Sequence, residues 1–319
     1  MSNVLRGVVS AIVWTFSVSG AAAERIYILS QQGAVLSEVA AGADAPGEGA
    51  TVKLEKGPAL LALAPDAPLA YVTHSDLGRV SVVDLDQRRV VRTIDVPGSP
   101  FGIAAGKDGR IFVGDWHQDH VIAVDTAGDA EPKLTKVRVG RAPAHVVLSP
   151  DGGTVFVANR EDDSVSVVRT ADMTVAATIP VGHAPFAMTL SPDGARLFVG
   201  NMQGGSVSVV DTEKLAVSET WKTGPMPYGA AVTPDGGRVL ITHQGGGTVG
   251  VFGETDTALA TVKVGSYPEG VAIGEDGTRA YVANWFSDNV SVIDLDTMKE
   301  IQRIKTPAGP RAVAVRSAP

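Results

Sequence analysis

Tyr71-Val-Thr-His74, Phe112-Val-Gly-Asp115, Phe156-Val-Ala-Asn159, Phe198-Val-Gly-Asn201, Leu240-Ile-Thr-His243 and Tyr281-Val-Ala-Asn284 are six copies of one phrase, set about 42 residues apart. Self-similarity at a period of this size marks a repeat architecture, in which each unit buries its faces against its neighbours. Each copy belongs to a set of four short apolar runs. The run before it follows a proline: Gly102-Ile-Ala-Ala, His145-Val-Val-Leu, Ala187-Met-Thr-Leu, Gly229-Ala-Ala-Val, Gly270-Val-Ala-Ile. A tight turn joins the two, written Ser149-Pro-Asp-Gly152, Ser191-Pro-Asp-Gly194, Thr233-Pro-Asp-Gly236 or Gly274-Glu-Asp-Gly277. Pro presets the turn's first φ, Asp bonds the local backbone and Gly takes the left-handed position. The third run is Val80-Ser-Val-Val-Asp84, Val165-Ser-Val-Val168, Val207-Ser-Val-Val-Asp211 and Val290-Ser-Val-Ile-Asp294, and the fourth includes Arg92-Thr-Ile-Asp-Val96, Ala177-Thr-Ile-Pro-Val181 and Ala260-Thr-Val-Lys-Val264.

Four antiparallel strands joined by tight turns make one propeller blade, and helical periodicity is absent throughout. The fold class is therefore all-β. The ends of the chain set the blade count. Ala59–Leu63 is the earliest inner strand and Arg311–Val315 the last. Three strands, Ile26–Leu29, Ala34–Glu38 and Thr51–Glu55, precede the earliest with no inner strand of their own. Six blades are complete, and the seventh combines the C-terminal inner strand with the three N-terminal strands. A blade shared by both termini closes the ring and leaves no free edge. One seven-bladed domain is expected over residues 24–319, with solvated loops at 40–50 and 126–132.

These units resemble the YVTN family of β-propeller repeats over essentially the whole chain after residue 23. The YVTN-like strand, Val-Ser-Val-Val-Asp, Thr-Ile-x-Val-Gly and Ser-Pro-Asp-Gly recur in order, and the Gly-His and Trp-Asp marks of WD40 repeats are missing. The resemblance implies a secreted or periplasmic seven-bladed propeller. Related propellers include lactonases, a lyase and subunits of periplasmic amine and quinone-dependent dehydrogenase systems, so the fold leaves the activity open.

Composition narrows the choice. The formal net charge is −8, with no Lys/Arg-rich run, so neither nucleic acid nor an anionic membrane surface is an expected partner. There is no cysteine, which excludes disulfides, Cys-ligated zinc, iron–sulfur clusters and c-type haem. Arg6, the apolar run from Val8 to Val18 and Ala21-Ala22-Ala23 read as a cleaved signal peptide over residues 1–23. The run is short for a membrane span, and no membrane anchor is expected.

Scaffold residues repeat between blades, whereas one face varies. At the position after the recurring proline stand Ala59, Phe101, Ala144, Phe186, Tyr228, Glu269 and Arg311. The second strand ends in Ser30, His74, Asp115, Asn159, Asn201, His243 and Asn284, and the adjoining loops add Trp116, His117, His120, Arg160, Met202, Trp285 and Phe286. His145, His183 and Met226 lie close by in sequence. Three readings follow. In the first, His74, Phe101, Trp116, His117, Phe186, Met202, Tyr228, His243, Trp285 and Phe286 form a non-catalytic binding face for a partner protein or ligand, in a context of periplasmic redox metabolism. In the second, the funnel is a lactonase- or lyase-like active site: His145 or His183 is acid or base, Glu269 its partner, and Arg311 or Arg160 a carboxylate clamp. The competing expectation for Glu269 and Arg311 is an ion pair between adjacent blades. In the third, His74, Asp115, His117 and His120 hold a divalent metal ion. No other cofactor is expected.

Overall fold

The computed structural model describes residues 24–317 apart from 46, 48, 49, 127, 129 and 130; the expected signal peptide lies outside the described residues. Twenty-eight strands form seven four-stranded antiparallel sheets. Blade 1 spans residues 58–95, blade 2 100–138, blade 3 143–180, blade 4 185–222, blade 5 227–263 and blade 6 268–305. Blade 7 takes its inner strand from Pro310–Ser317 and its other three from Glu24–Ser30, Val35–Ala40 and Thr51–Lys53. The shared seventh blade is therefore present as expected. The pairing runs further than the apolar pattern suggests, from Ser30 opposite Pro310 to Glu24 opposite Ser317. The described residues contain one helical turn, the 3₁₀ turn Trp285–Ser287. No helix among them is long and apolar enough to cross a membrane.

The apolar residues sort into seven clusters, and each cluster joins two neighbouring blades. Tyr71 of blade 1 packs with Ile103, Ile111 and Val113 of blade 2. Phe112 packs with Val146, Val155 and Val157 of blade 3, and Tyr281 with Ile26 and Ile28 of blade 7. The recurring aromatic of the second strand is thus an inter-blade wedge. Trp221, fully buried, fills the junction of blades 4 and 5 between Phe198 and Phe252, with ring centroids 5.3 and 5.7 Å away.

Local chemistry follows the repeat. Asp151 accepts from Ser149 Oγ at 2.5 Å and from Gly153 N at 2.9 Å, bonds that hold its carboxyl below the usual range. Asp84, Asp211 and Asp294 cap the turn after the third strand by accepting backbone N–H groups. The turn of blade 6 departs from the pattern for a visible reason. Glu275 stands where four other blades have proline (Pro65, Pro150, Pro192 and Pro234), and its N–H donates to Glu24 Oε1 at 2.8 Å. Its carboxylate accepts the N–H of Ser317 at 2.8 Å and its hydroxyl. Gly274 leaves room for Glu24, since a Cβ there would lie 2.7 Å from Glu24 Oε1. Tyr281 Oη completes the clasp by donating to Glu24 Oε2 at 2.7 Å. One turn thereby holds both ends of the shared blade.

Inner strands carry a register shift just after the proline, between Pro58 and Leu61, Pro100 and Ile103, Pro185 and Met188, Pro227 and Ala230, and Pro268 and Val271. A bulge of this kind re-aims the side chain it carries. Here it carries the variable position that builds the site.

Candidate functional site

Phe101, Phe186, Tyr228, Glu269 and Arg311 all occupy that bulged position, and they converge over one mouth of the central channel. The Phe101 and Phe186 rings meet at 6.0 Å although their blades are not adjacent; the blade between them contributes only Ala144. Phe186 packs on Tyr228 at 4.3 Å, and Trp116 touches Phe101 at 4.9 Å and Phe186 at 6.3 Å. Arg311 runs into this cluster. Its guanidinium lies 5.2 Å from the Phe101 ring and 5.5 Å from the Trp285 ring, and its Nη2 donates to Tyr228 Oη at 2.8 Å. To reach Phe101 it passes Ala59, the second small residue of the ring. Cation–π contacts of this kind gain strength as water is excluded.

Two threonines of the repeated phrase fix part of this geometry. Thr73 Oγ1 donates to the Phe101 carbonyl and Thr242 Oγ1 to the Glu269 carbonyl, each at 2.8 Å. Four other blades have glycine or alanine there, at Gly114, Ala158, Gly200 and Ala283, and the seventh has Leu29.

Glu269 is the buried acid of the site, 4% exposed. Burial pushes its carboxyl up to about 7, against the opposing pull of Arg311 and of the Gln244 hydrogen bond. Gln244 Nε2 donates to Oε1 at 2.9 Å, and Arg311 Nε lies 3.5 Å from Oε2 without a hydrogen-bonding alignment. The expected ion pair between adjacent blades is present. Gln244 is not among the residues singled out from the sequence; its register with Trp116, Arg160 and Trp285 is the signal that marks it. Burial likewise raises Tyr228 well above the ordinary phenol.

The candidate acid–base set does not assemble. His183 is exposed at the rim, with its Nδ1 2.9 Å from Asp163 Oδ2. His145 lines the channel wall; its Nδ1 is sealed without a partner, and burial lowers the imidazole to about 4. Neither bonds Glu269. Arg160 lies over Trp116 at 5.8 Å and has no carboxylate partner among the described residues.

The ends of the second strands belong to the scaffold, which corrects their assignment to the binding face and the metal set. Asn159, Asn201 and Asn284 each donate to the residues five and seven places on, through Ser164 and Ser166, Ser206 and Ser208, Asn289 and Ser291. His74 is fully buried, donating from Nδ1 to the Lys56 carbonyl at 3.2 Å and accepting from Ser81 at Nε2 at 2.9 Å. His243, 3% exposed, accepts from Gly224 N at 3.1 Å and bonds Thr248 at 3.0 Å. Burial lowers both imidazoles, His243 to about 4. Asp115 accepts from Ser99 N, His117 N and Gln118 N at 2.9, 3.3 and 3.3 Å. His120 bonds the Gln118 carbonyl. Among the described residues no group of three or more His, Asp or Glu gathers in a metal-holding arrangement, so His74, Asp115, His117 and His120 do not form the expected cluster. On the outer side of the face, Met202 is half-buried and Phe286, 66% exposed, packs on Tyr267 at 4.8 Å.

Comparison with known proteins fits the architecture. A family model described as a lactonase, 7-bladed beta-propeller, matches residues 135–217. That stretch contains His145, Arg160, His183 and Phe186 but neither Glu269 nor Arg311. No curated protein matches the sequence. Among solved structures, the chain is similar to Kuenenia stuttgartiensis hydrazine synthase, with a TM-score of 0.74 and 20% identity over 82% of this chain and 95% of that one. It is also similar to a functionally unknown protein from Desulfotomaculum acetoxidans, with a TM-score of 0.81 and 15% identity over 92% and 99%. A protein from Lactobacillus plantarum gives 0.78 and 18% over the same shares. At these identities the likeness shows the fold alone.

Proposed function

We propose that the chain is a non-catalytic propeller of the YVTN type, exported to the periplasm or beyond, that binds a partner protein or ligand on the platform at its channel mouth. The observation that carries this reading is the platform itself: Phe101, Trp116, Phe186, Tyr228 and Trp285 packed around Arg311. Aromatic residues and arginine are where binding energy concentrates, and side chains already locked by their neighbours lose little freedom on association. His145 and His183, the acid–base candidates, both lie apart from Glu269, which supports a role without catalysis. The signal-like residues before Glu24 support export. The test is native mass spectrometry of the protein isolated gently from its own host, beside Trp116→Ala/Trp285→Ala and Glu269→Gln. A companion mass lost in the tryptophan variant and retained in Glu269→Gln supports docking. A companion retained in the tryptophan variant overturns it.

One observation favours a second reading, a lactonase-type hydrolase: the family-model match over residues 135–217. Glu269, with its carboxyl at about 7, has the acidity of a general base, and Arg311 would face the carbonyl oxygen. Lactone hydrolysis that disappears in Glu269→Gln while the tryptophan variant keeps it would select this reading.

A further inference from the structure

Beside the platform, Ala59 leaves a hollow of about 230 Å³ between blades 7, 1 and 2. Larger cavities of about 680 and 550 Å³ have no aromatic wall, and those of about 460 and 370 Å³ have a single ring each, Phe156 and Tyr27. This hollow is walled by the Phe101 and Trp116 rings, tilted 54° to each other. Arg311 already sits against the first ring and Arg160 against the second. Neither guanidinium enters the lining and Arg311 is paired with Glu269, but Arg160, without a carboxylate partner among the described residues behind the Trp116 ring, disfavours a cationic ligand. Across the hollow stands Asp76, whose carboxylate has no hydrogen-bond or ion-pair partner among the described residues and disfavours an anion. The same lining offers donors and acceptors that no protein group uses: the Gln31 amide, the Ser99 hydroxyl, the His117 imidazole and the Trp116 indole N–H.

Aromatic walls combined with mixed hydrogen-bonding groups and no tolerance for net charge select a ligand that is neutral, hydroxylated and apolar on one side. We propose that this hollow binds a neutral polyhydroxylated ring, a monosaccharide in its pyranose form. Its C–H face rests on Phe101 and Trp116, and its hydroxyls are shared among Asp76, Gln31, Ser99 and His117. The site does not depend on what docks on the platform, although Phe101 and Trp116 serve both.

Saturation-transfer NMR and calorimetry with glucose, galactose and mannose test it, with gluconate and glucosamine as charged analogues. At least one neutral sugar is expected to bind in the millimolar range, about tenfold more tightly than either charged analogue. Asp76→Ala, at an exposed position, should abolish that binding while leaving any companion mass on the platform unchanged. Ala59→Leu should fill the hollow and abolish the binding too, but it also closes the path of Arg311 to Phe101, so where it fails to fold or disturbs the platform Asp76→Ala decides alone. Absence of neutral-sugar binding, equal binding of a charged analogue, or wild-type affinity in Asp76→Ala overturns the proposal.

Discussion

A single exchange at the end of the second strand shows how much one residue can mislead. His243 stands where three other blades have asparagine, and Gly250 stands where they have Ser166, Ser208 and Ser291. A Cβ at Gly250 would lie 2.8 Å from both His243 Cε1 and Phe252 Cε2, so this pose of the ring needs a glycine beneath it, whereas His74 is turned so that Ser81 bonds its Nε2. The His243→Asn/Gly250→Ser variant should therefore fold and rebuild the common hydrogen bonds. It should also change the acid limb. Burial lowers His243 from 6.5 to about 4, so below 6.5 the unfolded chain takes up a proton that the folded chain refuses until about 4. Stability is lost as pH falls through that window, and the double variant should lose less of it. Glu269 has the opposite slope. Its carboxyl rises from 4.5 to about 7, so between those values the unfolded chain ionises first and stability declines as pH rises. Glu269→Gln should flatten that decline, by up to ~3 kcal/mol. Thermal melts from pH 4 to 7.5 (an interval of about the width of both shifts) separate the two; parallel curves for wild type and both variants would contradict both assignments.

At the scale of the element, strands were legible because an alternating apolar pattern and a turn signal are both local. The last strand was read as Arg311–Val315 and extends from Pro310 to Ser317, because its ends are held by pairing with Glu24–Ser30. Pairing partners far apart in the chain leave no local mark. The turn 274–277 is the informative exception. It is written as one more tight turn in the sequence, and its missing proline and serine both serve the clasp on Glu24 and Ser317. Glu275→Pro removes the N–H donor and the carboxylate acceptor together and should cost about 2 kcal/mol. Hydrogen exchange should then speed up in Glu24–Ser30 and Pro310–Ser317 before it does in blades 2 to 4. Unchanged exchange in those two strands would mean the clasp contributes nothing.

For the molecule as a whole, seven clusters between blades replace a single core, so stability depends on the ring being closed. Deleting residues 310–319 removes the partner of Glu24–Ser30 and one side of two junctions. The expected outcome is a lower, broader melt and self-association through the exposed strand edge, read by light scattering; a monomer melting like wild type would show that this strand does not close the ring. The sequence by itself determined the repeat, the seven blades, the shared blade and the face that varies, because each rests on periodicity along the chain. Only the tertiary structure decided that His74, His243 and Asp115 are scaffold, that Gln244 holds Glu269, and that Arg311 meets Tyr228, 83 positions away, and Phe101 beside it. Contacts at the axis arise when seven equivalent positions converge, and which of them touch depends on the size of all seven side chains. Two alanines open the paths that the larger residues take. No pattern along the chain encodes a distance across a channel.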